Sequence, residues 1–191
     1  MILSVCSLKG GAGKTTSAVY LAAAAQRAGG TVTLLDADPE GSALSWASYE
    51  QLSFPVLPAP IVTLGAAVRQ AASETQHVVV DTPTNRREAL EAAALAADVV
   101  LVPVRPTGVD VDRIQPTLDV LQKLSVQRLV VLFTMWDERR ILAREALEAL
   151  AHLPVLDTKV RRLARYEEAF GTEPADLMEY EKVWKELQSG R

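Results

Sequence analysis

The sequence predicts an α/β fold in which helices flank a doubly wound, mainly parallel sheet. Apolar runs of strand length alternate with helical patterns along the chain. Three of the apolar runs are followed at once by a glycine-rich loop or by a carboxylate, as expected where the carboxyl edge of an open parallel sheet forms a ligand site. We therefore expect right-handed crossovers and one domain over residues 1–191.

The composition is that of a globular protein with a sizeable core. Of the 191 residues, 49% are hydrophobic and 23% are charged, which excludes the disordered class. No apolar run reaches the roughly 18 residues of a membrane span, and no leader segment is recognisable, so we expect a cytoplasmic protein. Cys6 lies in the first strand pattern and is expected to be a buried thiol. His77 and His152 lack metal-ligand spacing, which disfavours a zinc site.

The first strand pattern, residues 2–6, is followed by a glycine-rich loop and then by a helical pattern. Glycines allow backbone N–H groups to converge on an anion, and the helix that follows adds its positive N-terminus. A lysine at the end of such a loop reaches the β- and γ-phosphates, and the next hydroxyl is placed to bind Mg²⁺. The phosphate-binding residues are therefore Lys9, Gly10, Gly11, Ala12, Gly13, Lys14, Thr15 and Thr16, with Thr15 also a metal ligand.

The general phosphate-loop pattern requires glycine six residues before the lysine, but this chain has Leu8 there and an additional lysine, Lys9, next to it. This variant resembles the deviant Walker A motif of the ParA/MinD family of dimerising P-loop ATPases, whose first lysine reaches the partner's nucleotide. The resemblance implies a homodimer in the ATP state, with Lys9 and Lys14 as catalytic residues and ATP and Mg²⁺ as cofactors. The alternative is a surface lysine beside an ordinary anion-binding turn.

The second strand pattern, residues 31–35, leads into the segment DADPEGS at residues 36–42. This segment resembles the family's D-x-D-P-Q-G-S motif, with Glu40 in place of the usual glutamine. The resemblance implies that Asp38 orients the hydrolytic water and that Asp36 supports the magnesium site. The alternative is an N-cap and turn for the helix that starts near Ser42.

A third strand pattern, residues 77–80, ends at Asp81 and fits a Walker B strand, whose aspartate holds Mg²⁺. The family pattern D-x-P-P has Thr84 in place of its second proline. Residues 43–60 predict a helix and an extended connection, and residues 61–75 predict another helix.

The remaining patterns predict further helices and strands in alternation. Helices are expected over residues 86–97, 111–123 and 142–150, and strands over residues 98–104, 128–133 and, as a short candidate, 154–156. Asp110 and Asp112 are most simply capping or first-turn acids. In the family the strand end at Thr134 and Met135 approaches the adenine base, and Trp136 either stacks on a base or caps the core.

A basic segment carries four cations in seven residues, namely Lys159, Arg161, Arg162 and Arg165. Such a cluster neutralises DNA phosphates without reading sequence, and its position resembles the basic segment of ParA proteins. The alternative is a solvated helix face paired with Glu167 and Glu168. The final helix, residues 176–188, has an apolar stripe that we expect to pack on the domain or on a dimer mate.

The resemblance implies an ATPase that segregates plasmid or chromosomal DNA, similar to the small plasmid-type ParA proteins. Its ATP-bound dimer would bind DNA non-specifically on the nucleoid, and a centromere-bound, ParB-like partner would stimulate weak hydrolysis. No membrane partner is expected. Two alternatives remain, a membrane-associated positioning ATPase resembling MinD and a P-loop metabolic ligase or kinase. A single cysteine disfavours an iron–sulfur electron carrier.

Overall fold

The computed structural model describes residues 1–190, without the side chain of Glu167. In these residues a six-stranded sheet has the order β3-β2-β4-β1-β5-β6, and every neighbouring pair is parallel. The strands are β1 Ile2–Val5, β2 Val32–Asp36, β3 Val56–Pro58, β4 His77–Asp81, β5 Val99–Val104 and β6 Leu129–Phe133. The predicted parallel α/β sheet is therefore confirmed.

Helices connect these strands and cover the sheet on both faces. They are α1 Lys14–Arg27, α2 Ser42–Tyr49, α3 Leu64–Glu74, α4 Arg87–Ala96, α5 Gly108–Asp112, α6 Gln115–Lys123, α7 Ile141–Ala149, α8 Arg165–Glu168 and α9 Glu179–Gln188, with a 3₁₀ turn at Ile61–Thr63. Because every neighbouring strand pair is parallel, each connection must cross from the carboxyl edge of the sheet back to its amino edge, and the helices provide these crossovers.

The central strand β1 shows how the core divides between the two faces. Leu3 and Val5 point into the apolar cluster that contains α1, whereas Cys6 belongs to the cluster on the opposite face. This alternation follows from the two-residue period of a strand. Ser4 is fully buried, and its hydroxyl donates a hydrogen bond to the Ala93 carbonyl at 2.9 Å. Cys6 is fully buried, as predicted.

The C-terminal helix α9 packs on the first helix, α1. Its apolar stripe, Tyr180, Val183, Trp184 and Leu187, is at most 1% exposed. Arg27 at the end of α1 donates hydrogen bonds to the carbonyl groups of residues 174 and 175, just before α9. The stripe is therefore covered by its own chain. No helix within residues 1–190 is both long enough and apolar enough to cross a membrane.

Three predicted elements differ from the structure. The helix expected over residues 111–123 is broken between α5 and α6, where Pro116 begins the second helix because proline fits only the first turn. Residues 56–58 were expected to be a connection but form the edge strand β3, where the flanking prolines are tolerated. Residues 154–156 contribute only an isolated bridge between Val155 and Val131.

Candidate nucleotide-binding site

The glycine-rich loop leaves the sheet at the carboxyl end of β1, between β4 and β5. Chain connections diverge to opposite sides at this point, and open α/β sheets bind their ligands in such a crevice. Gly11 and Gly13 have φ angles of 71° and 83°, the left-handed region that a side chain rarely adopts. Gly13 is also the N-cap of α1, so the loop backbone is directed toward the positive helix end.

The two lysines of the loop occupy different environments. Lys14 is buried, and its Nζ donates to the Lys9 carbonyl oxygen at 3.3 Å. Burial lowers the pKa of Lys14, and the nearby carboxylates of Asp81 and Asp38 oppose that shift. Lys9 Nζ donates to the Gly10 carbonyl at 3.1 Å, and its side chain is 27% exposed. Lys14 is thus inside the loop, whereas Lys9 is at its rim.

Lys9 also faces a buried carboxylate that the sequence did not reveal as its partner. Asp110 Oδ1 lies 3.8 Å from Lys9 Nζ, and Arg105 donates two hydrogen bonds to Asp110, at 2.9 and 3.0 Å. Burial raises the pKa of Asp110, but the hydrogen bonds from Arg105 and Thr107 outweigh it and hold that pKa below its ordinary value. Asp110 lies in the first turn of α5, as predicted, and Thr107 is the capping residue.

Thr15 and Asp81 meet beneath the loop. The Thr15 hydroxyl donates to Asp81 Oδ2 at 2.6 Å, and Asp81 Oδ1 is buried with no hydrogen-bond partner among the described residues. Burial raises the pKa of Asp81 to about 7; Asp36 and Asp38 add to the shift, while Thr15 and Lys14 oppose it. An unpaired buried carboxylate oxygen beside a hydroxyl is a hard oxygen donor set of the kind that Mg²⁺ prefers. These residues therefore fit the expected ion.

Asp36 ends β2 opposite Asp81 in the register and organises the segment that follows. Its Oδ1 accepts the Asp38 backbone N–H at 3.0 Å, and its Oδ2 accepts those of Ala43 and Leu44 at 2.9 and 3.0 Å. Asp36 therefore caps helix α2, which corresponds to the structural alternative for this segment. Burial raises the pKa of Asp36, and its three backbone hydrogen bonds oppose the shift.

A cavity of about 240 Å³ opens beside the loop and the start of α1. Its lining includes Gly13 and Thr16 from the loop and Thr134 and Met135 from the end of β6. The Thr134 hydroxyl donates to the Ala12 carbonyl at 3.0 Å, which ties this strand end to the loop. The two residues predicted to approach a base are thus beside the phosphate loop.

Aromatic side chains form a large part of the cavity wall, an arrangement that no local sequence pattern indicates. Trp46, Tyr166, Phe170 and Tyr180 all line the cavity but come from distant parts of the chain. Trp136 does not line it and packs on Phe133 instead, with ring centroids 5.3 Å apart. The core interpretation of Trp136 is therefore the one that the structure supports.

Residues 158–164 are not helical, so the interpretation of the basic segment as a solvated helix face is wrong. Val160 and Arg162 instead form backbone hydrogen bonds with the end of β6 and with Trp136. Arg161 pairs with Glu179, and Arg165 pairs with Asp176 at 3.3 Å. The helix begins only at α8, because the backbone groups of Val160 and Arg162 already form hydrogen bonds with Phe133 and Trp136.

Two of the predicted DNA contacts differ in their availability. Lys159 Nζ donates to the carbonyl groups of Leu156 and Asp157, at 3.1 and 2.8 Å. Arg162 is exposed, and its side chain has no hydrogen-bond or ion-pair partner among the side chains that the structure describes. Arg162 lines the cavity. It also lines a separate polar groove of about 530 Å³, to which Arg139 contributes as well. Sequence reasoning did not identify Arg139.

The family model for the CobQ/CobB/MinD/ParA nucleotide binding domain matches residues 3–174. The chain therefore belongs to this family of nucleotide-binding ATPases, as its motifs predicted. Among curated relatives, the Maintenance of carboxysome distribution protein A of Gloeobacter kilaueensis is 35% identical over 180 residues, covering 88% of this chain and 80% of that protein. The chromosome-partitioning ATPase Soj of Thermus thermophilus is 30% identical over 180 residues, covering 75% and 72%.

Solved structures confirm the fold. A complex of an McdA variant from Cyanothece with ATP has a TM-score of 0.79 at 20% identity and covers 98% of this chain and 96% of its own. MinD from Pyrococcus horikoshii with Mg-ADP has a TM-score of 0.79 at 16% identity, with coverage of 99% and 94%. The family match confirms the expectation of a nucleotide-binding ATPase, and these structures confirm its P-loop fold.

Proposed function

We propose that this protein is a ParA-type positioning ATPase whose ATP-bound homodimer binds DNA non-specifically and is reset by hydrolysis. The observation that carries the proposal is the separation of the two loop lysines. Lys14 is buried in the loop, whereas Lys9 lies at the exposed rim, 3.8 Å from Asp110. A lysine at the rim is placed to serve the nucleotide of a second copy, as an arginine finger does when it is supplied in trans.

The proposed chemistry assigns separate roles to the residues around the loop. The loop N–H groups and Lys14 hold the β- and γ-phosphates, and Thr15 and Asp81 hold Mg²⁺, with Asp36 fixing the neighbouring backbone. When bound, the ion neutralises charge that develops on the phosphate oxygens. Lys9 of one copy adds a cation at the γ-phosphate of the other.

Asp38 is proposed to orient the attacking water. Its backbone is fixed by the bond from Asp38 N–H to Asp36, and its Oδ1 accepts the Glu40 N–H at 3.0 Å. A carboxylate in this position, close to the Lys14 and Asp81 charges, holds one water by accepting a hydrogen bond from it and takes its proton as the water attacks. Because the same segment begins α2, its geometry is coupled to the rest of the fold.

The base is proposed to enter the cavity beside Thr134 and Met135, since this cavity lies next to the loop and both residues line it. Non-specific DNA binding is proposed for the basic segment, with Arg162 as its principal contact. Lys159, Arg161 and Arg165 already have partners within the chain and would add charge to the same surface. The relatives named for chromosome partition and carboxysome distribution support a positioning role. Stimulation of hydrolysis by a ParB-like partner is part of the proposal.

The membrane alternative has less support because the apolar stripe of α9 is buried against α1. Insertion of that stripe into a bilayer would require the helix to leave the core. A single domain over residues 1–191 remains our proposal, and the buried clusters on both faces of one sheet support it.

The dimer switch is tested by sedimentation in the presence of ADP or of a slowly hydrolysed ATP analogue. We expect wild type to dimerise only with the analogue. Lys14→Ala should lose nucleotide affinity by about ten- to hundredfold because a charge-assisted contact is removed. Lys9→Ala should bind nucleotide but lose dimerisation and turnover. The control Lys185→Ala removes an exposed lysine from α9. An ATP-bound wild type that stays monomeric would refute the switch.

DNA binding is tested by co-sedimentation with duplex of random sequence at saturating nucleotide. Arg162→Ala should weaken binding and reduce the salt dependence, with the slope of log K against log salt falling by about 1 for one lost phosphate contact. Arg87→Ala removes an exposed arginine from α4 and should leave binding unchanged. Binding that is equal with ATP and ADP contradicts the proposed function.

A further inference from the structure

The C-terminal helix α9 begins with a carboxylate that holds two residues of the cavity wall at once. The Glu179 carboxylate accepts a hydrogen bond from Arg161 through Oε1 and one from the Tyr166 hydroxyl through Oε2, the latter at 2.7 Å. The Glu179 side chain is only 12% exposed. Burial and the neighbouring Glu179 raise the pKa of Tyr166, so its hydroxyl stays protonated and remains a donor. Both Arg161 and Tyr166 line the cavity.

The position of Glu179 is fixed from both sides along the chain. Met178 has a φ of 49°, a left-handed conformation that a residue other than glycine keeps only when its surroundings impose it. Its N–H donates to Asp176 Oδ1 at 2.9 Å. Tyr180, on the other side, forms a hydrogen bond of 2.9 Å with Ser17 in α1. The start of α9 is therefore locked to the helix that follows the phosphate loop.

These contacts join two parts of the site that the sequence separates widely. Gly13 and Thr16, at the start of α1, line the cavity next to the phosphate loop, while Arg161 and Tyr166 contribute another part of its wall. We propose that Glu179 is a positioning residue for recognition of the nucleotide base, acting through Arg161 and Tyr166 and not on the phosphates. This inference rests on the placement of the base in the cavity and is independent of DNA binding and dimerisation.

The inference predicts an effect of Glu179 that depends on the base. Glu179→Gln keeps the shape of the side chain but weakens both contacts, so the cavity wall loses its fixed geometry. We expect the dissociation constant for Mg-ATP to rise by about tenfold, as for other displaced supporting residues. Inorganic tripolyphosphate has no base and uses the phosphate side alone, so its dissociation constant should be unchanged.

The experiment measures both ligands with Mg²⁺ by calorimetry on wild type, Glu179→Gln, Tyr166→Phe and the control Glu181→Gln. Glu181 is exposed on the same helix and pairs with Lys185. Tyr166→Phe keeps the ring in the cavity wall but removes its hydrogen bond to Glu179. The dissociation constant for Mg-ATP should rise by about threefold, because the contact of Glu179 with Arg161 remains. The control should match wild type.

The outcomes separate the inference from the proposed function. An equal loss of affinity for ATP and for tripolyphosphate would mean that Glu179 acts through the stability of the fold. Unchanged ATP affinity in both variants would mean that Glu179 has no role. Either result overturns the inference. If Glu179→Gln does not fold, Tyr166→Phe decides by the same comparison. Wild type that binds tripolyphosphate and ATP equally would instead refute the base placement, whereas failure to dimerise or to bind DNA leaves the inference intact.

Discussion

The phosphate side of the nucleotide site and the side proposed for the base, called here the base side, are built in different ways. The phosphate side consists of short contiguous motifs at the carboxyl ends of β1, β2 and β4. The base side is assembled from Trp46, Met135, Arg162 and Tyr166, which come from four separate segments. Phosphate chemistry demands particular backbone and side-chain types at fixed spacing, whereas a cavity wall demands only shape and apolar surface. The first side is therefore readable from sequence, whereas on the second side only Met135 of these four residues was indicated as a base contact, and only through the family resemblance.

The largest expected effect concerns the phosphate side. Asp38→Asn should lower steady-state phosphate release by about 10²- to 10⁴-fold, since it removes the group proposed to orient and deprotonate water. ATP affinity should stay within about threefold because Asp38 is not proposed to contact the bound phosphates.

Glu40→Gln is the matched control for Asp38→Asn. It changes an exposed carboxylate two residues further on, and its turnover should remain within a few-fold of wild type. An Asp38→Asn protein with wild-type turnover would remove Asp38 from the catalytic residues and make its segment purely structural.

The second effect tests whether the packing of α9 stabilises the domain that carries the base side. Trp184 is 1% exposed, so Trp184→Ala should lower the free energy of unfolding by about 3–5 kcal/mol. Urea denaturation followed by circular dichroism measures it. Lys182→Ala changes an exposed position of the same helix and should stay within about 0.5 kcal/mol. A small effect of Trp184→Ala would show that α9 does not stabilise the domain.

A third prediction links α2 to the base side. Trp46 Nε1 donates to the Thr172 carbonyl at 2.8 Å, and the ring is 2% exposed. Trp46→Phe loses this bond and part of the buried surface. We therefore expect the free energy of unfolding, measured by thermal or urea denaturation, to fall by about 1–3 kcal/mol. Trp136→Phe changes the half-buried tryptophan outside the cavity and should cost less. A larger loss of stability for Trp136→Phe than for Trp46→Phe would contradict this prediction.

The smallest expected effect lies away from both sides, at His77. Burial lowers the pKa of His77 and the positive N-terminus contributes, so the unfolded chain binds a proton more readily than the folded one. The stability that neutral His77 contributes is full above the unfolded pKa of about 6.5 and is lost as the pH falls toward the lowered folded pKa.

His77→Phe should therefore flatten the fall in urea midpoint between about pH 7 and pH 5. His152→Phe changes an exposed histidine and should keep the wild-type slope. An unchanged slope in His77→Phe would mean that other groups set the acid sensitivity.

The sequence by itself determined the sheet class, the loop and its flanking carboxylates. The alternation of strand and helix patterns, the glycines at residues 11 and 13, and the acids that end β2 and β4 are all local features. Their physical requirements act over a few residues, so a single sequence displays them. The buried Cys6 and the buried stripe of α9 were readable for the same reason.

Only the tertiary structure decided which distant groups meet. Asp110 faces Lys9, and Glu179 holds Arg161 and Tyr166, across separations that no spacing rule covers. The helical alternative for the basic segment fails because its backbone partners lie at the end of β6 and its ion-pair partner Glu179 lies in α9. The strand β3 has no clear sequence pattern because an edge strand needs only three residues and one neighbour. Contacts of this kind depend on how the helices pack against the sheet and against one another, and local sequence patterns do not determine that packing.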